Sequence, residues 1–257
     1  MRSVPLNWVP HNRGMTAGGY IEAGGLRTFH LVAGEGDPLL LLHGGLGSAE
    51  SWAAQVPALS GCYRVHVPER RGHGRTADVP GPLTYAAMAD DTIAYLEALG
   101  LAAVHLVGWS DGAAVAALVA IKRPDLTRSL VSIGQHFEPD GERGEARALR
   151  AVWSAEAFPG CPPGLFDKSA DLWRREPRIP MTELARIRAA TLVMQGDDDV
   201  VRVEHSAKVA RTIPHAQLAV VPGTSHALPV EKPDLVNRLI LDFLASPQPA
   251  RLMPLSS

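Results

Sequence analysis

Apolar residues recur along this chain in short continuous blocks separated by polar, glycine-rich turns. Leu39-Leu40-Leu41-Leu42 and Val104-His105-Leu106-Val107 are the clearest. Such blocks suit strands buried on both faces, where neither side alternates toward water. Arg64–Val67, Ser129–Ile133, Thr191–Met194 and Leu218–Val221 read as further strands. Tyr20–Glu22 and Thr28–Val32 flank Gly24-Gly25 and read as a hairpin.

Stretches of helical period lie between these blocks. One runs from Ser48, an N-cap type, to about Leu59. Thr84 opens another, whose apolar face holds Tyr85, Met88, Tyr95, Leu96 and Leu99, and Gly100 ends it. Ala113–Lys122, Glu204–Thr212 and Leu235–Leu244 each follow a strand. Strands alternating with helices predict an α/β fold whose mainly parallel central sheet is flanked by helices. Residues 1–134 and 181–257 keep this rhythm and read as one core. Residues 135–180 break it, with charged helical sequence over Glu142–Trp153, a turn-rich stretch from Phe158 to Gly164, and Leu172-Trp173-Arg174-Arg175. They read as a small helical cap insertion. The tail from about 246 to 257, with Pro247, Pro249 and Pro254, reads as disordered.

Composition excludes more than it adds. A chain of 257 residues can bury a large core, and a net charge of −2 calls for neither nucleic acid nor an anionic membrane as partner. Arg70, Arg71 and Arg75 read as a solvated basic loop. Cys62 and Cys161 lie far apart and suit a reducing compartment. Met1–Trp8 has no apolar signal core, and no apolar run approaches the ~20 residues of a membrane span. A cytoplasmic location is the expectation.

The chemistry concentrates after the strand 104–107. Gly108-Trp109-Ser110-Asp111-Gly112 leads straight into a helix. A strand-to-helix turn of this kind lifts a serine Oγ clear of the backbone, and its glycines leave room for the bend. A serine hydroxyl is a poor nucleophile and needs a histidine base, which a carboxylate must orient. Gly196-Asp197-Asp198-Asp199 follows the strand Thr191–Met194, and Ser225-His226 follows Leu218–Val221. Loops at the carboxyl ends of parallel strands are where such sites assemble. Ser110, Asp199 and His226 are therefore the candidate nucleophile, acid and base. Asp197 and Asp198 read as turn residues, and Glu138 is a lesser alternative acid. His43-Gly44-Gly45-Leu46 follows the strand Leu39–Leu42, so the amides of Gly45 and Asp111 are the candidate oxyanion donors. His43 reads as a structural hydrogen-bonder. Asp111, Trp109, Leu46 and Trp153 are candidate substrate contacts, and Phe158, Phe166 and Trp173 add aromatic surface in the insertion.

With His43-Gly44-Gly45, Glu69-Arg70-Arg71-Gly72-His73-Gly74-Arg75-Thr76, the elbow 108–112, Gly196–Asp199 and Ser225-His226, the chain resembles the α/β-hydrolase family over nearly its full length. The Gly-Trp-Ser-Asp-Gly elbow is similar to that of the valacyclovir-hydrolase-like (biphenyl-hydrolase-like) branch, with esterases, lactonases and cofactor-free haloperoxidases as relatives. Glu69 stands where an aspartate is usual, and Ala113 where many relatives carry glycine. The resemblance implies a serine hydrolase acting on a small carboxylic ester, lactone or activated acyl compound, without metal or cofactor. It leaves open whether the Asp111 carboxylate holds a substrate amine or serves the N-terminus of the following helix. Perhydrolysis and C–C bond hydrolysis use the same three residues, and a ligand-binding member of the fold is a further alternative. An aspartate at the elbow would mark a dehalogenase or epoxide hydrolase, and Ser110 argues against both. No Gly-rich fingerprint for dinucleotides, no P-loop and no zinc spacing occurs. Oligomeric state and natural substrate are not readable from the residues.

Overall fold

Leu39 and Leu41 pack into one apolar cluster while Leu40 and Leu42 pack into another. One strand thus feeds two cores, because successive side chains point to opposite faces of a sheet. This is the plan of the whole computed structural model, which describes residues 18–158 and 160–248. Met1–Trp8, Pro159 and the greater part of the tail, 249–257, lie outside the described residues.

The strands are β1 (Gly19–Ala23), β2 (Leu26–Ala33), β3 (Pro38–Leu42), β4 (Arg64–Pro68), β5 (Val104–Trp109), β6 (Thr127–Ile133), β7 (Ala190–Gly196) and β8 (Ala216–Val221). They form one sheet in the order β1-β2-β4-β3-β5-β6-β7-β8. β1–β2 and β2–β4 pair antiparallel, and every other pairing is parallel. The expected α/β fold with a mostly parallel sheet is the fold observed.

Helices α1 (Val56–Leu59), α2 (Tyr85–Ala98), α3 (Asp111–Lys122), α4 (Gly144–Arg150), α5 (Leu165–Arg175), α6 (Met181–Leu184), α7 (Val203–Thr212), α8 (Leu228–Glu231) and α9 (Pro233–Ala245) flank it. Met88, Leu96, Val115 and Val209, from α2, α3 and α7, cover one face; Leu59, Ile240 and Phe243, from α1 and α9, cover the other. Thr84 caps α2 as expected, its Oγ1 accepting from Ala87 N at 3.1 Å.

Two expected helices are shorter. The stretch after Ser48 divides into a 3-10 turn, Ala49–Trp52, and the single turn α1. Pro57 sits in the first turn of α1, and its missing N–H prevents a bond back to the preceding turn. Glu142–Trp153 yields only α4, because Leu149 and Val152 find no apolar surface and stay exposed. Between β6 and β7 the chain forms α4, α5 and α6 with two 3-10 turns. Leu165, Leu172 and Leu184 from this segment join the same apolar cluster as Leu40 and Leu42. No helix among the described residues is long and apolar enough to cross a membrane.

Candidate active site

The turn from β5 to α3 is tight on all sides. Ser110 has φ 54 and ψ −125, a left-sided conformation that costs a non-glycine residue free energy unless its surroundings impose it. Here they do. A Cβ on Gly112 would stand 2.6 Å from His43 O, and one on Gly108 2.6 Å from Ala113 Cα. The two glycines let α3 press against β5 and β3, and the serine takes up the strain.

Two neighbouring strand ends bring the partners. His226 follows β8, and its Nε2 lies 3.0 Å from Ser110 Oγ. Its Nδ1 lies 2.8 Å from Asp199 Oδ1, in the loop after β7. Asp199 is 2% exposed and also accepts from Val201 N at 3.2 Å and Gly196 N at 3.4 Å. Those backbone bonds hold the carboxylate independently of the histidine. Gly134, at the end of β6, lies beneath the pair, where a Cβ would come within 3.1 Å of His226 Nδ1. Backbone hydrogen bonds from Gly223 and from Thr224, the latter at 3.0 Å, keep the Asp197 carboxyl below the usual range. Asp198 faces solvent and pairs with Arg143, and Glu138 pairs with Lys208.

On the other side of Ser110 lies the loop after β3. His43 is fully buried; its Nδ1 lies 2.8 Å from Gly44 O, and its Nε2 accepts from Arg70 N at 3.3 Å. Burial and Arg70 hold its pKa well below the ordinary value, so it is neutral. A Cβ on Gly44 would lie 3.3 Å from Ser110 Cβ. No acceptor among the described residues takes the N–H of Gly45 or of Asp111. Leu46, at φ 56, continues the loop half-buried.

The basic stretch is solvated only in part: Arg75 is exposed, Arg71 half-buried and Arg70 buried. Arg70 is buried, Arg71 forms a two-pronged pair with Asp91 at 2.5 and 2.6 Å, and Arg75 pairs with Glu50 and the buried Glu69. The expectation failed for Arg70 and Arg71 because their partners, Gly44 O and Asp91, lie in distant segments, which local sequence does not show.

The Asp111 carboxylate is 5% exposed and already engaged. Oδ1 accepts from Tyr85 O–H at 2.7 Å, and Trp173 Nε1 donates to both oxygens at 3.1 and 3.0 Å. A substrate amine would have to share the carboxylate with these two donors. Trp173 belongs to α5, so the residue beside Ser110 is tied directly to the segment between β6 and β7. Trp109 packs against Trp52, and its indole N–H donates to His226 O at 2.9 Å. It therefore supports the histidine loop. Trp153 lies beside Trp173 and Phe158, with ring centroids 6.2 and 5.3 Å away. A cavity of about 630 Å³ opens in this region, lined among others by His136, Trp153, Phe166, Trp173, Arg150 and Arg178. Burial and Arg150 push the His136 pKa down to about 3, so its ring is neutral.

A family model described as the alpha/beta hydrolase family matches residues 39–239. The chain belongs to that family. Among its relatives, a protein assigned as carbamate hydrolase RutD of Stutzerimonas stutzeri (strain A1501) is 29% identical over 243 residues, covering 81% of this chain and 92% of the relative. The 2-hydroxy-6-oxo-6-phenylhexa-2,4-dienoate hydrolase of Burkholderia cepacia is 28% identical over 275 residues, covering 88% of this chain and 95% of the relative. Among solved structures, a meta-cleavage product hydrolase from Pseudomonas fluorescens IP01 superposes with a TM-score of 0.79 at 24% identity, over 89% of this chain and 98% of that one, which speaks to the fold alone.

Sequence reasoning passed over three side chains of this alpha/beta hydrolase site. Arg70 was legible only as a charge. Tyr85 was assigned to the apolar face of α2, where its ring does lie, but nothing announced its hydroxyl's partner. Trp173 stood out as aromatic but not as a donor to Asp111.

Proposed function

We propose that the protein is a serine hydrolase that cleaves a small ester, lactone or other activated acyl compound at Ser110. The reading rests on the hydrogen-bonded line Asp199–His226–Ser110, 2.8 and 3.0 Å, at the end of a strained strand-to-helix turn. In it His226 Nε2 takes the Ser110 proton as Oγ attacks the acyl carbon, and the C=O electron pair moves onto oxygen. The amides of Gly45 and Asp111 stabilise that oxyanion. Asp199 keeps the ring oriented and offsets the imidazolium charge. The leaving group departs with the proton from His226, and a water activated by the same ring releases the acyl group.

The aromatic surface of Trp153, Phe166 and Trp173 would hold the substrate's apolar part. Residues 135–180 are assigned the role of a cap over the core formed by 1–134 and 181–257. Hydrolysis of a C–C bond is a second reading, favoured by the likeness to the Burkholderia cepacia hydrolase.

The test is fluorophosphonate labelling followed by intact-mass measurement, on the wild type and Ser110→Ala. One adduct on the wild type and none on the variant are expected. An unlabelled, folded wild type would refute the reading. Turnover of p-nitrophenyl esters, aryl carbamates and a vinylogous 1,5-diketone then separates acyl transfer from C–C cleavage.

A further inference from the structure

The peptide joining Gly44 to Gly45 has unlike surroundings at its two ends. Its oxygen, Gly44 O, accepts from Arg70 Nη2 at 2.8 Å, from His43 Nδ1 at 2.8 Å and from Gly47 N at 3.2 Å. The His43 ring can donate there because its Nε2 is the acceptor for Arg70 N. At the other end, the Gly45 N–H has no acceptor among the described residues. In a trans peptide the N–H points opposite to the C=O. Holding the oxygen on the Arg70 side therefore turns the Gly45 N–H away from it, in a loop that packs against Ser110.

Arg70 is an unusual choice for this task. It is 5% exposed, and its Nε and Nη1 have no hydrogen-bond partner among the described residues. Burying a cation is unfavourable, and the nearby Asp111 carboxylate offsets only part of that cost, since burial still lowers the Arg70 pKa. A neutral donor would satisfy one carbonyl lone pair at far less cost. Besides balancing the buried Asp111 charge, a cation adds polarisation: drawing electron density toward Gly44 O makes the N–H of the same peptide a stronger donor. Its neighbour Arg71 does nothing of the kind, being paired with Asp91.

We propose that Arg70 is a positioning residue for acyl transfer, which clamps and polarises the Gly44 carbonyl so that the Gly45 N–H is aimed at the oxyanion formed when Ser110 attacks. The inference rests on the acyl-transfer reading above. It concerns only the step in which the Oγ–C bond forms, the carbonyl electron pair moves to oxygen and the proton passes to His226. Arg70 touches no reacting atom.

The experiment compares wild type, Arg70→Met and Arg70→Lys on one p-nitrophenyl ester, with kcat and KM measured separately. It also measures binding of a trifluoromethyl ketone, whose adduct with serine carries an oxyanion, and of the matching methyl carbinol, which carries none. For Arg70→Met, kcat is expected to fall about 10–100-fold, somewhat less than loss of an oxyanion donor itself. KM should stay within about threefold, and ketone affinity should fall in step with kcat while carbinol affinity holds. Arg70→Lys keeps the charge and should recover most of the loss. Unchanged kcat in a folded Arg70→Met, or a loss confined to KM, overturns the proposal. If Arg70→Met does not fold, Arg70→Gln, a neutral donor, decides: a loss of about 3–10-fold in kcat, matched by the ketone and not the carbinol, supports it, and wild-type values overturn it. A wild type that fluorophosphonate does not label at Ser110 overturns the acyl-transfer reading and this proposal together. Labelling with indifferent Arg70 variants overturns this proposal alone.

Discussion

Two buried carboxylates stand on either side of Ser110, and they belong to different regions of the molecule. Asp199 is part of the floor, the loops at the carboxyl ends of the strands, and backbone amides of its own loop hold it. Asp111 is also on the floor, but the roof holds it in part, through Trp173 on α5, while Tyr85 on α2 supplies the other donor. The floor geometry is made by contacts within a few residues of each strand end, backed by a sheet buried on both faces. The roof, residues 135–180 in the proposed cap, is a run of short helices anchored by Leu165 and Leu172 in the core cluster and by Trp173 on Asp111. Rigid placement is what the proposed acid–base step needs, and in that proposal the cap segment meets the substrate.

Predictions follow from breaking each region in turn. Ser110→Ala should lower turnover by roughly 10³–10⁶-fold, by analogy with other serine nucleophiles, with melting temperature unchanged or raised as the hydroxyl at a strained turn is removed. Retained turnover in steady-state assays would exclude Ser110 as the nucleophile. Gly112→Ala drives a methyl into the backbone of Leu42 and His43 and should cost about 3 kcal/mol or more in denaturant unfolding. The paired control lies in the roof: Gly144 has open space around its missing Cβ, so Gly144→Ala should gain roughly 0.5 kcal/mol within α4. Equal costs at the two positions would erase the contrast between floor and roof.

The sheet should also be acid-sensitive. Burial pushes the pKa of both His66 on β4 and His105 on β5 down to about 4, from 6.5. Between pH 6.5 and about 4 the unfolded chain binds these protons and the folded chain does not, so stability falls as pH falls. The slope is at most about 1.4 kcal/mol per pH unit for each group and flattens below pH 4. Urea titrations at pH 7, 5.5 and 4.5 measure it, and His66→Gln should reduce it. A modest effect is expected at the roof. Trp173→Phe keeps the ring and removes the N–H to Asp111, which should cost about 1–2 kcal/mol and raise the rate of proteolysis between 142 and 160. Unaltered proteolysis would mean that the roof is held elsewhere.

Much of the floor was legible in the residues. The apolar runs marked strands, because a strand buried on both faces must be apolar throughout. The Gly-x-Ser-x-Gly turn, the acidic loop after β7 and the histidine after β8 were found from their places at strand ends. The helix after Ser48 is shorter than its pattern implies, because Pro57 divides it. Arg70 was misread because a charged residue in a glycine-rich loop is ordinarily solvated, and nothing nearby signals burial.

What the sequence by itself determined is therefore the order of strands and helices and the succession Ser110, Asp199, His226, because periodicity and turn chemistry act over a few residues. Only the tertiary structure decided that Arg70 turns inward to Gly44, 26 positions away, and that Asp111 meets Tyr85 at 26 positions and Trp173 at 62. Those partners are chosen by how layers stack on the sheet, and a hydroxyl, an indole N–H or a guanidinium carries no local mark of which acceptor it will be packed against.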